Sequence, residues 1–225
     1  MDKEEYFQKV RHNRILTEYC ERLFAPGDEV FLDNNRILLI GGGVSPILTD
    51  LQKKRIFPKF VHNVDPFAAE QNDPRQKLFR EDFMTWNAAP DSYDEVLALY
   101  SLPYYCETID YVAPFYAKAL MIVRPSGNLR VFPADEKKGG MANDYLRVTR
   151  EFLNELKVEF PWVKTQEANP CGRTTLIVSM PRDKGRINEW LKAKLSEMTS
   201  QNALAATEKL TALSFQRPEK PCHSL

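Results

Sequence analysis

The chain has 225 residues, 43% of them apolar and 28% charged, which suits one sizeable α/β domain with a helical extension better than two independent cores. Its 31 basic residues balance 31 acidic ones, so no overall field draws it to nucleic acid or an anionic membrane. Met1-Asp-Lys-Glu-Glu lacks the form of a secretory signal, no apolar run approaches the ~20 residues of a membrane span, and Cys20, Cys106, Cys171 and Cys222 form no CxxC pair. A cytoplasmic protein with reduced thiols is expected.

In chain order, Phe7, Val10, Ile15, Tyr19 and Leu23 recur at helical spacing from Lys3 to Phe24, and Ala25-Pro-Gly-Asp ends that segment. After the turn signal Asp33-Asn34-Asn35, the unbroken apolar run Arg36-Ile-Leu-Leu-Ile40 reads as a strand buried on both faces. Gly41-Gly42-Gly43 stops it, and Pro46 with Ile47, Leu48 and Leu51 opens a helix. Phe60–Val64 reads as a second strand, ending at Asp65-Pro66, and Gln76 to Phe83 as a short strand or turn. Tyr93–Tyr100 is a further strand and Ile109 to Ala119 a helix. Leu120–Val123 reads as a helix end or strand, Arg124-Pro-Ser-Gly127 as a break, Leu129–Phe132 as a strand and Tyr145 to Leu156 as a helix.

Arg173–Ser179 is β-branched and alternating; it follows Asn169-Pro-Cys-Gly172 too closely after Val163 for a helical crossover, which predicts an antiparallel last strand. Strands alternating with helices imply a parallel, helix-covered sheet. From Ile187 to Leu213 no Gly or Pro occurs, and an apolar stripe predicts one or two amphipathic helices. That stripe either makes a homodimer or partner surface or folds back on its own domain. The expected organisation is a helical segment over 1–34, a ligand-binding domain over 35–182 and a C-terminal helical extension and tail over 183–225.

The strongest local signal is the buried strand turning into a helix through Gly41, Gly42 and Gly43, where a backbone without Cβ atoms lies close against a nucleotide or nucleoside. Asp65 closes the second strand at the same carboxyl edge, where a carboxylate accepts both ribose hydroxyls. Two cofactors suit this pattern: a dinucleotide and S-adenosylmethionine. The dinucleotide fingerprint wants a small residue where Pro46 stands, and Pro lacks the N–H that a pyrophosphate would use.

These residues resemble the class I S-adenosylmethionine-dependent methyltransferases, over about residues 35 to 180. Arg36 to Ser45 is similar to their first motif and Val64-Asp65 to the acidic end of their second strand. Arg80-Glu-Asp82-Phe83 resembles the motif in which an acid meets the adenine amino group and the next residue packs on the ring. Tyr93–Leu102 resembles their fourth strand, with Tyr100 at its cofactor end, and Lys118–Val131 the segment before and into the fifth. Leu39 stands where the family often carries an acid. The resemblance implies a Rossmann-like, seven-stranded, mostly parallel sheet with helices on both faces, S-adenosylmethionine as cofactor, and methyl transfer to a small-molecule or peptide acceptor.

Ser101-Leu102-Pro103-Tyr104 is partly similar to the motif of amine and amide N-methyltransferases. That likeness makes Ser101 and the Leu102 carbonyl candidate holders of an amine, and Tyr104 the ring that covers it. Tyr105 belongs to the same loop, and the polar segment Asp135–Asp144 is a candidate wall of the acceptor pocket. His12, His62 and His223 have no neighbouring ligand pair, so no metal is expected. Two other functions remain open: a methyltransferase-like binding or scaffold protein without catalysis, suggested by Leu39 and Pro46, and an NAD-dependent oxidoreductase.

Overall fold

The computed structural model describes residues 22–24, 27–43, 47–66, 75–99, 101, 109–134, 140–168 and 175–215. The expectations that fall on Lys3 to Glu21, Ser45, Pro46, Tyr100, Leu102–Tyr105, Asp135–Lys138, the four cysteines, His12 and His223 lie outside the described residues.

Seven strands form one sheet: β1 (Arg36–Ile40), β2 (Phe60–Val64), β3 (Gln76–Phe79), β4 (Tyr93–Leu99), β5 (Val123–Phe132), β6 (Lys164–Ala168) and β7 (Thr175–Ser179). Their order is β3-β2-β1-β4-β5-β7-β6. Neighbours from β3 through β5 pair in parallel, whereas β7 lies antiparallel to both β5 and β6. The antiparallel last strand expected from the short β6–β7 connection is present. Among the described residues, the helices beside the sheet are α1 (Ile47–Lys53), α2 (Val112–Ile122), α3 (Gly140–Glu159) and α4 (Gly185–Phe215), with single 3-10 turns at Asp28–Leu32 and Ile109–Tyr111.

Strand alternation sorts the core into two layers. Leu38 and Ile40 of β1, Val96 and Ala98 of β4, and Leu129 and Val131 of β5 face α2, α3 and the start of α4. Ile37, Leu39, Leu97, Leu99 and Phe132 face α1, Leu32 and the short piece Leu23-Phe24. Because both faces are covered, β1 and β4 read as continuous apolar runs rather than alternating ones.

On the second face, a charged group takes the place of apolar packing. Glu95 and Arg130 pair at 3.0 Å, both almost fully buried, and Asn128 donates to Glu95 at 2.6 Å. Arg130 also donates to the Leu23 carbonyl at 3.1 Å and lies 4.5 Å from the Phe24 ring centroid, while Thr175 donates to the Arg22 carbonyl. Residues 22–24 are thereby bound to β5 and β7 through their backbone acceptors. Burial pushes the Glu95 carboxyl up even though Arg130 and Asn128 oppose it.

Two sequence expectations need correction. Arg124-Pro-Ser-Gly127 is no break: it lies within β5 as a bulge, with the register jumping from Tyr93↔Val123 to Glu95↔Asn128. The bulge persists because its polar groups are satisfied. Ser126 N–H donates to Pro181 O at 3.1 Å, Gly127 O accepts from Met180 N–H at 2.9 Å, and Arg124 pairs with Asp94 at 3.0 Å. Second, α3 starts at Gly140, so the latter part of the polar Asp135–Asp144 segment is helical; a glycine is tolerated where the amide has no intrahelical partner.

Of the two alternatives expected for the C-terminal stripe, its near part takes the second and folds back on its own domain. Ile187 and Leu191 are core residues, and Trp190, Leu195 and Met198 pack beside them. Lys184 anchors the helix start, its buried ammonium donating to Asp91 at 2.7 Å, to Met121 O at 2.9 Å and to Val123 O. The strand-to-helix link through Met180 is thus tied to the amino edge of the sheet.

Two measurements follow from this packing. A chain ending at Pro181 loses Ile187 and Leu191, each worth about 1.5–3 kcal/mol, together with the Lys184 anchor. It should give no cooperative thermal transition, while a chain ending at Ser200 should retain one; equal melting would show that α4 adds nothing to the core. At the β2–β3 edge, His62 Nδ1 and the Tyr93 hydroxyl pair at 2.7 Å, and the His62 ring stacks 4.4 Å from Phe60. Burial, with the nearby Lys77 charge, lowers the His62 pKa below its ordinary 6.5, and burial raises Tyr93 to about 12. The unfolded chain therefore binds the extra proton first, so the contribution of neutral His62 is present above about pH 6.5 and is lost as pH falls through the lower folded value. Urea melts from about pH 7.5 to about pH 5 should show wild type losing stability relative to His62→Phe; parallel curves would refute this.

Candidate cofactor site

The order of the sheet reverses at β1: β2 lies on one side and β4 on the other. Open α/β sheets bind ligands at the carboxyl ends of the strands beside such a switch. Gly41, Gly42 and Gly43 lie at that point, and Gly41 and Gly43 have φ of 62° and 59°, the left-handed region that favours glycine.

The glycines answer first to the protein itself. A Cβ on Gly41 would lie 2.6 Å from the Ser101 Cβ, and one on Gly42 would lie 2.7 Å from Asn63 Oδ1. At these two positions the neighbours that exclude a Cβ are β2 and the residue just past β4.

The end of β2 grips the turn through consecutive hydrogen bonds. Gly41 N–H donates to Val64 O at 2.8 Å, Gly42 N–H to Asn63 Oδ1 at 3.1 Å, and Gly43 N–H to Asp65 Oδ2 at 2.7 Å. In return, the Asn63 amide donates to Gly43 O at 2.8 Å. Asn63 is fully buried and Asp65 is 8% exposed. Sequence reasoning placed Asp65 correctly at the strand end but missed Asn63. The available signal was its position two residues before Asp65, which puts both side chains on one side of an extended chain.

Ser101 is 7% exposed and lies against Gly41. Tyr100 and Tyr104 lie outside the described residues. Asp82 is exposed; its Oδ1 accepts from Met84 N–H at 2.6 Å, and its carbonyl accepts from Trp86 N–H at 2.8 Å. Its second carboxylate oxygen has no hydrogen-bond partner among the described residues. Phe83 departs from expectation. It is 2% exposed, with its ring 5.6 Å from Phe115 and 6.5 Å from Trp86, so it fills the core rather than offering a face to adenine. The alternation of a tight turn sends residue 83 inward while Asp82 faces out. Leu39 is also fully buried, in the second core layer. Among the described residues no group of three or more His, Cys, Asp or Glu side chains could hold a metal, and no helix is long and apolar enough to cross a membrane.

The site can therefore take a ligand that needs a carboxylate at its ribose and a tight backbone, but no amide cradle for phosphate. All three glycine amides already have protein acceptors, and a dinucleotide pyrophosphate would have to displace them.

No family model and no curated protein sequence matches the chain. Solved structures do resemble it. A Haemonchus contortus phosphoethanolamine N-methyltransferase, solved with phosphoethanolamine and S-adenosylhomocysteine, aligns with 90% of this chain at 12% identity and a TM-score of 0.50. The chain spans 50% of that protein's length. The fold is that of the S-adenosylmethionine-dependent methyltransferases. Proteins of this methyltransferase kind from Aquifex aeolicus (11% identity, 80% of this chain, 98% of that one, TM-score 0.44) and Mesorhizobium loti (14%, 66%, 91%, 0.42) are also similar. A methyltransferase fold differs from the 3-2-1-4-5-6 dinucleotide order by the antiparallel strand inserted beside β5, which is where β7 lies here.

Gly42→Ala tests whether the clamp sets the site. The new methyl must displace the buried Asn63 amide, a local overpacking of about 1–3 kcal/mol. The variant should fold yet bind S-adenosylhomocysteine about tenfold more weakly by calorimetry; wild-type affinity would mean that the turn is not part of the site.

Proposed function

We propose that the protein binds S-adenosylmethionine at the glycine turn and transfers its methyl group to an acceptor held beside the end of β4. The observation that carries this reading is the internal pairing of all three glycine amides next to Asp65. That arrangement suits a nucleoside sulfonium, which carries no phosphate, and disfavours NAD. In this reading Gly41–Gly43 lie under the methionine portion, Asp65 accepts the ribose hydroxyls with its carboxylate, and Asp82 accepts from the adenine amino group.

The bound cofactor supplies a sulfonium methyl, a group with a good leaving group already built in. Bound there, it would offer that methyl carbon to the acceptor's lone pair, with the carbon–sulfur pair left on sulfur. The protein's work is alignment and exclusion of water rather than proton transfer. Ser101 packs against Gly41 just past β4, and in this reading it flanks the acceptor. An amine nitrogen is the acceptor that Ser101-Leu102-Pro103-Tyr104 suits, with Ser101 accepting its hydrogen bond and Tyr104 covering it. A second reading, cofactor binding without catalysis, is favoured by the buried aliphatic Leu39 where the family often has an acid.

Calorimetry with S-adenosylmethionine, S-adenosylhomocysteine and NAD tests the proposal. The first two should bind and NAD should not; NAD binding alone would overturn it. Asp65→Ala should weaken S-adenosylhomocysteine by about 2–4 kcal/mol, because it removes a charged acceptor from the ribose and a partner from Gly43. Unchanged affinity in a folded variant would place the nucleoside elsewhere.

A further inference from the structure

Helix α2 is apolar on almost every side: Val112, Phe115, Tyr116, Ala117, Ala119, Leu120 and Ile122 are all core residues. Amid them lies Lys118, only 9% exposed. A lysine there carries a desolvation cost that Leu or Met would avoid, so its partners decide why it is tolerated. Its ammonium donates to Met84 O at 2.8 Å and to Trp86 O at 2.6 Å, and lies 5.3 Å from the Phe83 ring centroid. Burial lowers the Lys118 pKa, and the charges of Asp82 and Glu81 oppose that shift.

Every one of these contacts lies on the turn that carries Asp82. Within the turn, Asp82 Oδ1 takes Met84 N–H, and Asp82 O takes Thr85 N–H at 3.1 Å and Trp86 N–H at 2.8 Å. The turn thus closes on its own amides, while two of its carbonyls point inward and would be buried without a donor. Lys118 supplies that donor. It also connects two parts of the site: the turn follows β3 on one flank of β2, and α2 is the first helix after β4. The carboxylate left facing outward is Asp82.

We infer that Lys118 is a positioning residue, which through the Met84 and Trp86 carbonyls holds the Asp82 carboxylate where it recognises the amino group of an adenine base. The inference rests on the cofactor reading above. Lys118 touches no part of the ligand; its effect is on base selectivity, because Asp82 accepts from an exocyclic amino group and repels the carbonyl oxygen that hypoxanthine carries in its place.

The test compares binding of S-adenosylhomocysteine and S-inosylhomocysteine by calorimetry. Wild type should prefer the adenine form by about tenfold or more, the effect of one charge-assisted hydrogen bond, and Asp82→Asn should abolish that preference. Lys118→Met, which keeps length but cannot donate, should reduce it to about threefold or less. Lys118→Gln, which still offers N–H donors, should recover part of it and serves as the second variant if Lys118→Met fails to fold. A purely structural lysine would lower the melting temperature and leave the preference at the wild-type value in either folded variant; that result overturns the inference. A wild type that binds both nucleosides equally also overturns it while leaving the cofactor reading intact. A wild type that binds neither overturns the cofactor reading and this inference together.

Discussion

The hold of β2 on the glycine turn is the constraint on which the rest of the site depends. Asn63, Val64 and Asp65 take the three glycine amides in succession, and Asn63 returns a donor to Gly43. Such a chain of bonds is possible only because β1 and β2 are adjacent and parallel, with Ile40 opposite Val64. It also needs glycine at residues 41 and 42, since Ser101 and Asn63 occupy the space a Cβ would take. Backbone geometry, strand order and the nearest side chains therefore specify one another. The chemical consequence is a turn with a closed set of donors beside a carboxylate, which favours a nucleoside over a nucleotide.

Buried cations tie the layers together elsewhere. Lys118 joins α2 to the Asp82 turn, Lys184 joins the start of α4 to the end of α2, the start of β5 and the turn before β4, and Arg130 joins residues 22–24 to the β4–β5 pair. Each donates to one or more backbone carbonyls: Lys118 to Met84 and Trp86, Lys184 to Met121 and Val123, and Arg130 to Leu23. Lys184 adds the favourable placement of a cation at the carboxyl end of a helix. Apolar side chains could fill the same volumes, but they could not satisfy those acceptors, and an unsatisfied buried carbonyl costs about 1–3 kcal/mol.

Much of the fold was legible because it is set by short-range pattern. The unbroken run Arg36–Ile40, the strand Phe60–Val64 and the alternating Thr175–Ser179 all lie where their apolar spacing puts them. The bulge at Arg124–Gly127 was not legible, because Pro, Ser and Gly signal a turn whatever lies alongside. Only the acceptors and donors of Met180, Pro181 and Asp94 keep that segment in β5. Likewise Phe83 has the same local sequence whether it meets a base or the core, and Phe115 and Trp86 decide for the core.

By itself the sequence determined the alternation of strands and helices, the antiparallel return at the end of the sheet, and the placement of a glycine turn and Asp65 at one edge. These follow from hydrophobic period, turn chemistry and the length of connections, all local quantities. Tertiary structure alone decided that Asn63 completes the clamp, that Ser101 lies against Gly41, that Lys118 carries the Asp82 turn, and that Ile187 and Leu191 close the core. Each of those contacts joins residues from separate elements. Their existence depends on how strands are ordered and helices laid across them, which no window of neighbouring residues contains.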